Sequence, residues 1–99
     1  QRAKAGPPLQ GSFDSASQMC FTYVYILQSE SDPGRFYVGM TEELKARLVK
    51  HNSGGVPHTA KNRPWRIKTA IAFTDETRAS AFERYLKTAS GRAFAGKRL

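Results

Sequence analysis

The sequence is short of cysteine, of histidine and of acidic residues, and it has no long apolar run. A single cysteine, Cys20, stands among 99 residues. An intrachain disulfide is therefore excluded, and a reducing compartment, the cytoplasm, is the expectation. Two histidines, His51 and His58, together with that cysteine cannot complete a closed four-ligand zinc site without carboxylates. No stretch approaches the roughly 20 apolar residues that cross a bilayer as a helix, so no membrane association is expected. The acidic deficit is the most informative shortage. Eight Asp and Glu face sixteen Lys and Arg, giving a formal charge of +8. Such an excess favours a polyanionic partner, nucleic acid above all.

At 39% hydrophobic and 24% charged, the composition is that of a globular protein with room for one domain. Residues 1–18 carry one large aromatic, Phe13, among small, polar and turn-forming residues. They read as a flexible leader that need not be native, with Met19 as the natural start of the folded part. Because this leader holds only Arg2, Lys4 and Asp14, about +7 of the charge belongs to residues 19–99.

From Cys20 the chain reads as alternating elements. "CFTYVYILQS" (20–29) is aromatic and β-branched and apolar on both faces, as a strand covered on both sides would be. A turn through Pro33-Gly34 leads to a second strand, "RFYVGM" (35–40). Thr41 is the expected N-cap of a helix with Glu42 and Glu43 in its first turn, ending near Asn52 before Ser53-Gly54-Gly55. After a basic loop, alternation predicts a third strand with Trp65, Ile67, Thr69, Ile71 and Phe73 on one side. Thr74 with Asp75 and Glu76 then opens a helix of about 15 residues to Ser90-Gly91, with Ala79, Phe82, Leu86 and Ala89 buried. The rest is a short basic piece, one or two helical turns. The expected fold is α+β: a small three-stranded, mainly antiparallel sheet flanked by helices, in the order β-β-α-β-α-α.

The first helix raises a functional question. Leu44 and Leu48 define its buried stripe, and at 100° per residue His51 falls about 20° and Arg47 about 60° from Leu44. Arg47 and His51 are an i,i+4 pair, so their side chains lie over one another. Two readings fit: both flank the stripe with their polar ends in water, or both border a cleft. Tyrosines converge on the same region. Tyr23 and Tyr25 share a face of the first strand, and the hairpin brings one of them near Tyr37, two residues before Gly39.

"YVY" at 23–25, "YVG" at 37–39, "LKARLVKHN" at 44–52 and a later helical glutamate together resemble the GIY-YIG nuclease superfamily. The small stand-alone bacterial branch is the nearest match, since "HTAKNRPW" and "KTASGRAFA" are also similar to segments of it. The resemblance implies a metal-dependent endonuclease, using Mg²⁺ or Mn²⁺, that hydrolyses phosphodiester bonds in DNA in preference to RNA. It maps the two motif tyrosines to Tyr25 and Tyr37, the helical arginine to Arg47, the histidine to His51 and the metal-binding glutamate to Glu83. His58 is a looser match to a functional loop histidine. In these roles Tyr25 accepts a proton from water, Arg47 holds the scissile phosphate and Glu83 holds the metal. Lys45, Lys50, Lys61, Arg63, Arg92, Lys97 and Arg98 are the expected backbone-binding charges. Nothing reads as a base-recognition helix, so a structure-selective or accessory nuclease, as in DNA repair, is favoured over a sequence-specific one. Two departures from the family pattern stand out: Tyr23 replaces the first glycine, and Met40 stands where some repair-type members carry lysine, a contact Lys61 or Arg63 would have to supply. The alternatives are a binding module of this fold without turnover, and a basic protein with a protein partner.

Overall fold

A computed structural model describes residues 20–99. The expected leader and the start at Met19 lie outside the described residues. Three strands, β1 (Thr22–Ser29), β2 (Phe36–Thr41) and β3 (Trp65–Phe73), form one antiparallel sheet in the order β2-β1-β3. Helix α1 (Leu44–Asn52) follows β2, a single 3₁₀ turn (Ala60–Asn62) interrupts the next loop, and α2 (Glu76–Leu86) and α3 (Ala89–Arg98) follow β3. The α+β class and the order β-β-α-β-α-α agree with the sequence reading. No helix among the described residues is long and apolar enough to cross a membrane.

β1 is the central strand because both its faces are apolar, and each face carries its own core. Val24 and Ile26 pack with Ala79 and Leu86 of α2, joined by Val38, Met40, Phe73, Phe82, Ala95 of α3 and Leu99 just after it. Tyr25 and Leu27 pack on the other side with Trp65, Tyr37, Ile67 and the α1 residues Leu44 and Leu48. Helix α1 thus covers one face of the sheet, and α2 with α3 covers the other.

The structure corrects the third strand. Its odd-numbered residues do not share one face. Ile26 pairs with Thr69 but Leu27 pairs with Ile67, leaving Lys68 as the extra residue of a β-bulge. The bulge switches the alternation, so Trp65 and Ile67 sit under α1 while Phe73 sits under α2.

The helix starts are corrected as well. Thr41 is the last residue of β2, and α1 begins only at Leu44, with no acidic residue in its first turn. The Thr41 hydroxyl still meets an otherwise unpaired donor, accepting the Glu43 N–H at 3.0 Å, but it does so in the turn before the helix. In α2 the cap is Asp75, the middle of the three expected start residues: its carboxylate accepts the N–H groups of Thr77 and Arg78. The expected 15-residue helix is two helices. Thr88 divides them, its hydroxyl donating to the Tyr85 carbonyl at 2.7 Å and accepting the Gly91 N–H at 3.0 Å. One side chain therefore closes α2 and caps α3. Ala89, expected in the buried face, opens α3 and is exposed.

Candidate active site

Tyr25 lies mid-strand in β1, directly opposite Gly39 of β2. A Cβ at position 39 would overlap the Tyr25 hydroxyl and lie 2.5 Å from its Cζ and 3.0 Å from Tyr37 Cε2. The glycine therefore leaves the space into which the phenol folds. On the same face, α1 brings His51 over the sheet. Tyr25 and His51 are each 1% exposed, and their side chains meet at 3.0 Å between the phenol oxygen and Nε2. Tyr37 closes the group, its ring centroid 4.9 Å from that of His51 and 6.4 Å from that of Tyr25.

The hydrogen-bond directions follow from the last member of the chain. Thr59, also 1% exposed, donates its one hydroxyl proton to the Val56 carbonyl at 3.2 Å. Its oxygen is then an acceptor towards His51 Nδ1, 2.8 Å away. With the Thr59 proton on the Val56 carbonyl, Nδ1 carries the imidazole proton and Nε2 is the lone pair to which Tyr25 donates.

The electrostatics favour that arrangement. Burial, and then the charges of Arg47 and Lys50, hold the His51 pKa below its ordinary 6.5, so the ring is neutral at neutral pH. Burial first and the neighbouring Tyr37 second raise the Tyr25 pKa above 10.0. Arg47 opposes them by charge and by hydrogen bonding, while the charge of Glu83 raises the value further. Tyr25 therefore rests as a phenol hydrogen-bonded to a neutral imidazole, and both shifts hold the proton on the phenol, against which the Arg47 charge works.

The loop after α1 is clamped so that Thr59 reaches His51. Asn52 bonds the backbone of Trp65 from both sides of its amide: Nδ2 donates to the Trp65 carbonyl at 3.0 Å, and Oδ1 accepts the Trp65 N–H at 2.6 Å. The Trp65 indole N–H donates to the Thr59 carbonyl at 2.8 Å.

Residues 21–97 match the family described as the GIY-YIG catalytic domain. The chain belongs to the GIY-YIG family. The structure-specific endonuclease subunit SLX1 of Scheffersomyces stipitis is 39% identical over 70 residues, which cover 64% of this chain and 21% of that protein. A UPF0213 protein of Lacticaseibacillus paracasei is 38% identical over 66 residues, 66% of this chain and 72% of that protein. The UPF0213 protein BH0048 of Halalkalibacterium halodurans is 35% identical over 71 residues, 71% of this chain and 73% of that protein. The chain thus spans about a fifth of the SLX1 protein and most of the UPF0213 proteins it matches.

Within this GIY-YIG chain, Tyr25, Tyr37 and His51 pack against one another; the charges of Arg47 and Glu83 shift the Tyr25 pKa in opposite directions, with Glu83 on α2, the helix of the other face. His58 is exposed, and the loop residue that meets His51 is its neighbour Thr59. Thr59 and Asn52 are functional positions that the sequence marks only by their places in "HTAKNRPW" and at the end of "LKARLVKHN". Lys45, Lys50, Lys61, Arg63, Arg92 and Lys97 are all exposed. Two of them have fixed heads: Arg63 Nε donates to the Ala60 carbonyl at 2.6 Å, and Arg92 Nη1 to the Lys87 carbonyl at 2.7 Å.

A metal would have one carboxylate here. Among the described residues no three His, Cys, Asp or Glu side chains cluster as a multi-ligand centre requires. Glu83, on α2, keeps 18% of its side chain exposed and pairs through Oε2 with Lys87 Nζ at 2.6 Å. A single carboxylate already engaged with a cation suits a hard ion that keeps most of its water, and not zinc.

Proposed function

We propose that this chain is an endonuclease that hydrolyses phosphodiester bonds in nucleic acid, DNA in preference to RNA, with Mg²⁺ or Mn²⁺ held by Glu83. The observation that carries this reading is the buried chain Tyr25–His51–Thr59, set beside Arg47 and within the field of Glu83, in a member of the GIY-YIG family. The SLX1 relatives, named as structure-specific endonuclease subunits, support it.

Hydrolysis needs a proton taken from water as its oxygen bonds to phosphorus, and a proton or positive charge for the departing oxygen. As the water oxygen bonds to phosphorus, its proton passes to the Tyr25 oxygen while the Tyr25 proton passes to His51 Nε2, so that no free phenolate forms against the raised phenol pKa. Thr59 fixes the imidazole with Nε2 aimed at the phenol, so the acceptor is in place before substrate arrives. Arg47 neutralises the phosphate and also eases loss of the Tyr25 proton, since its charge lowers the phenol pKa. A bound divalent ion would supply positive charge to the phosphate oxygens and the leaving group. Lys87 must release Glu83 for the carboxylate to serve that ion.

A supercoiled-plasmid nicking assay with Mg²⁺ and with Mn²⁺ tests the reading, with Glu83→Ala as control. Nicking by the wild type that the variant and a chelator each abolish is the expected result. Salt-sensitive binding without nicking under either metal would instead identify a binding module of the same fold.

A further inference from the structure

A cavity of about 400 Å³ opens on the face of the sheet opposite Tyr25 and His51. Its floor is apolar, formed by Ile26, Val38 and Leu86. Phe36, the first residue of the edge strand β2, lines it while remaining 51% exposed. The remaining side of the chemistry is cationic: Lys68, Lys87 and Arg92 line the same cavity, and no carboxylate does.

These cations are placed by the fold. Lys68 is the extra residue of the β3 bulge, which turns it to the side of Ile26 and sets Nζ 6.0 Å from the centre of the Phe36 ring. Arg92 is held by its bond to the Lys87 carbonyl. Lys87 also pairs with Glu83, so one side chain joins the cavity to the carboxylate proposed to hold metal. A half-exposed aromatic ring beside three cations matches a flat apolar ring carrying an anion. The volume suits a single such group and is too small for a helix or a stretch of duplex.

We propose that this cavity receives one unpaired nucleotide of the nucleic-acid substrate, its base against Phe36 and its phosphate against Lys68, Lys87 and Arg92. The proposal rests on the nuclease reading and adds the substrate class: a strand with an unpaired nucleotide on the Glu83 side of the site. A base inside a duplex is stacked on both sides and cannot enter. The cavity therefore separates branched or overhanging DNA from fully paired DNA without reading sequence.

Fluorescence anisotropy with the full chain in a chelating buffer measures binding apart from cleavage. The probes are a blunt duplex and the same duplex with a short single-stranded overhang. Wild type is expected to prefer the overhang DNA, and Phe36→Ala to lose about tenfold on it, in line with the loss of one stacked base, while binding the blunt duplex unchanged. Phe36→Trp keeps a stacking surface and is expected to keep the preference, which guards against a folding defect in the alanine variant. Equal affinity of wild type for the two DNAs, or a Phe36→Ala loss equal on both, overturns the proposal and leaves the nuclease reading standing. Absence of binding to either DNA overturns both. Loss of a self-associated state in Phe36→Ala without any change in DNA preference would make the cavity a contact between copies of this chain, and that also overturns it.

Discussion

At the scale of single residues, the proposed chemistry hangs on the protonation state of His51. Tyr25→Phe removes the hydroxyl that faces Nε2. It is expected to lower the nicking rate by about 10²-fold or more, and to destabilise the fold by about 1–2 kcal/mol because a buried acceptor is left unpaired. Thr59→Val strips the partner from Nδ1, at a cost of about 1–3 kcal/mol on a denaturation curve. Thr59→Ser, which keeps the oxygen, is expected to recover both stability and rate; failure of that rescue would reduce Thr59 to a packing role. The pH dependence has a definite sign. His51 titrates below 6.5 when folded and at about 6.5 when unfolded. Between those values the unfolded chain binds the extra proton, so stability falls as pH drops below 6.5 and levels off only under the folded pKa. The same protonation removes the acceptor for Tyr25, so the acid limb of the rate profile is expected to inflect below 6.5. Lys50→Ala removes one of the charges holding that pKa down and is expected to move the inflection to higher pH. The positions of Arg47 and His51 relative to the leucine stripe were legible in the sequence, because helical periodicity is a local property. The bond from His51 to Thr59 was not, because a loop held by Asn52 and Trp65 delivers the threonine.

At the scale of elements, the structure depends on two close approaches, one in the site and one between helices. Gly39→Ala places a methyl group where the Tyr25 phenol lies. The expected outcomes are a loss of about 1–3 kcal/mol and a nicking defect out of proportion to it, since the residue displaced is the proposed proton relay. Measuring the rate well below the melting temperature separates the two effects. Gly91 stands at the joint of α2 and α3, where an added Cβ would overlap the Tyr85 carbonyl and approach Leu86 Cα at 2.7 Å. Gly91→Ala would force the helices apart. That joint is what the sequence concealed. A run such as "ETRASAFERYLKTAS" is continuous in helix propensity, and only the Thr88 side chain, serving two backbone groups at once, shows that the chain turns there. The bulge at Lys68 was hidden for a related reason. Alternation fixes which residues point inward, but not whether inward means one core or two. Where signals are strong and local, as in the β1 and β2 runs and the Asn52–Gly55 helix stop, reading and structure agree to within a residue or two.

At the scale of the whole molecule, charge and topology divide the surface between two kinds of contact. Lys45, Lys50, Lys61 and Arg63 belong to α1 and its following loop, which cover the Tyr25 face of the sheet. Arg92 and Lys97 belong to α3 on the other face. A rigid duplex laid along the α1 side meets the first group and not the second. Its binding is then expected to fall with salt along a log–log slope of about −4, since each neutralised phosphate on duplex DNA contributes about −0.9. Lys61→Ala should flatten that slope by about one unit while weakening all duplex sequences alike, because a phosphate contact carries no base information. A slope near zero would mean that the +8 charge is not spent on DNA at all. A slope much steeper than −4 on blunt duplex would mean that both faces are engaged at once, which a straight duplex cannot achieve across a three-stranded sheet without bending around its β2 edge. The slope thus reports which side of the sheet the double-stranded part of the substrate occupies, independently of whether any bond is cut.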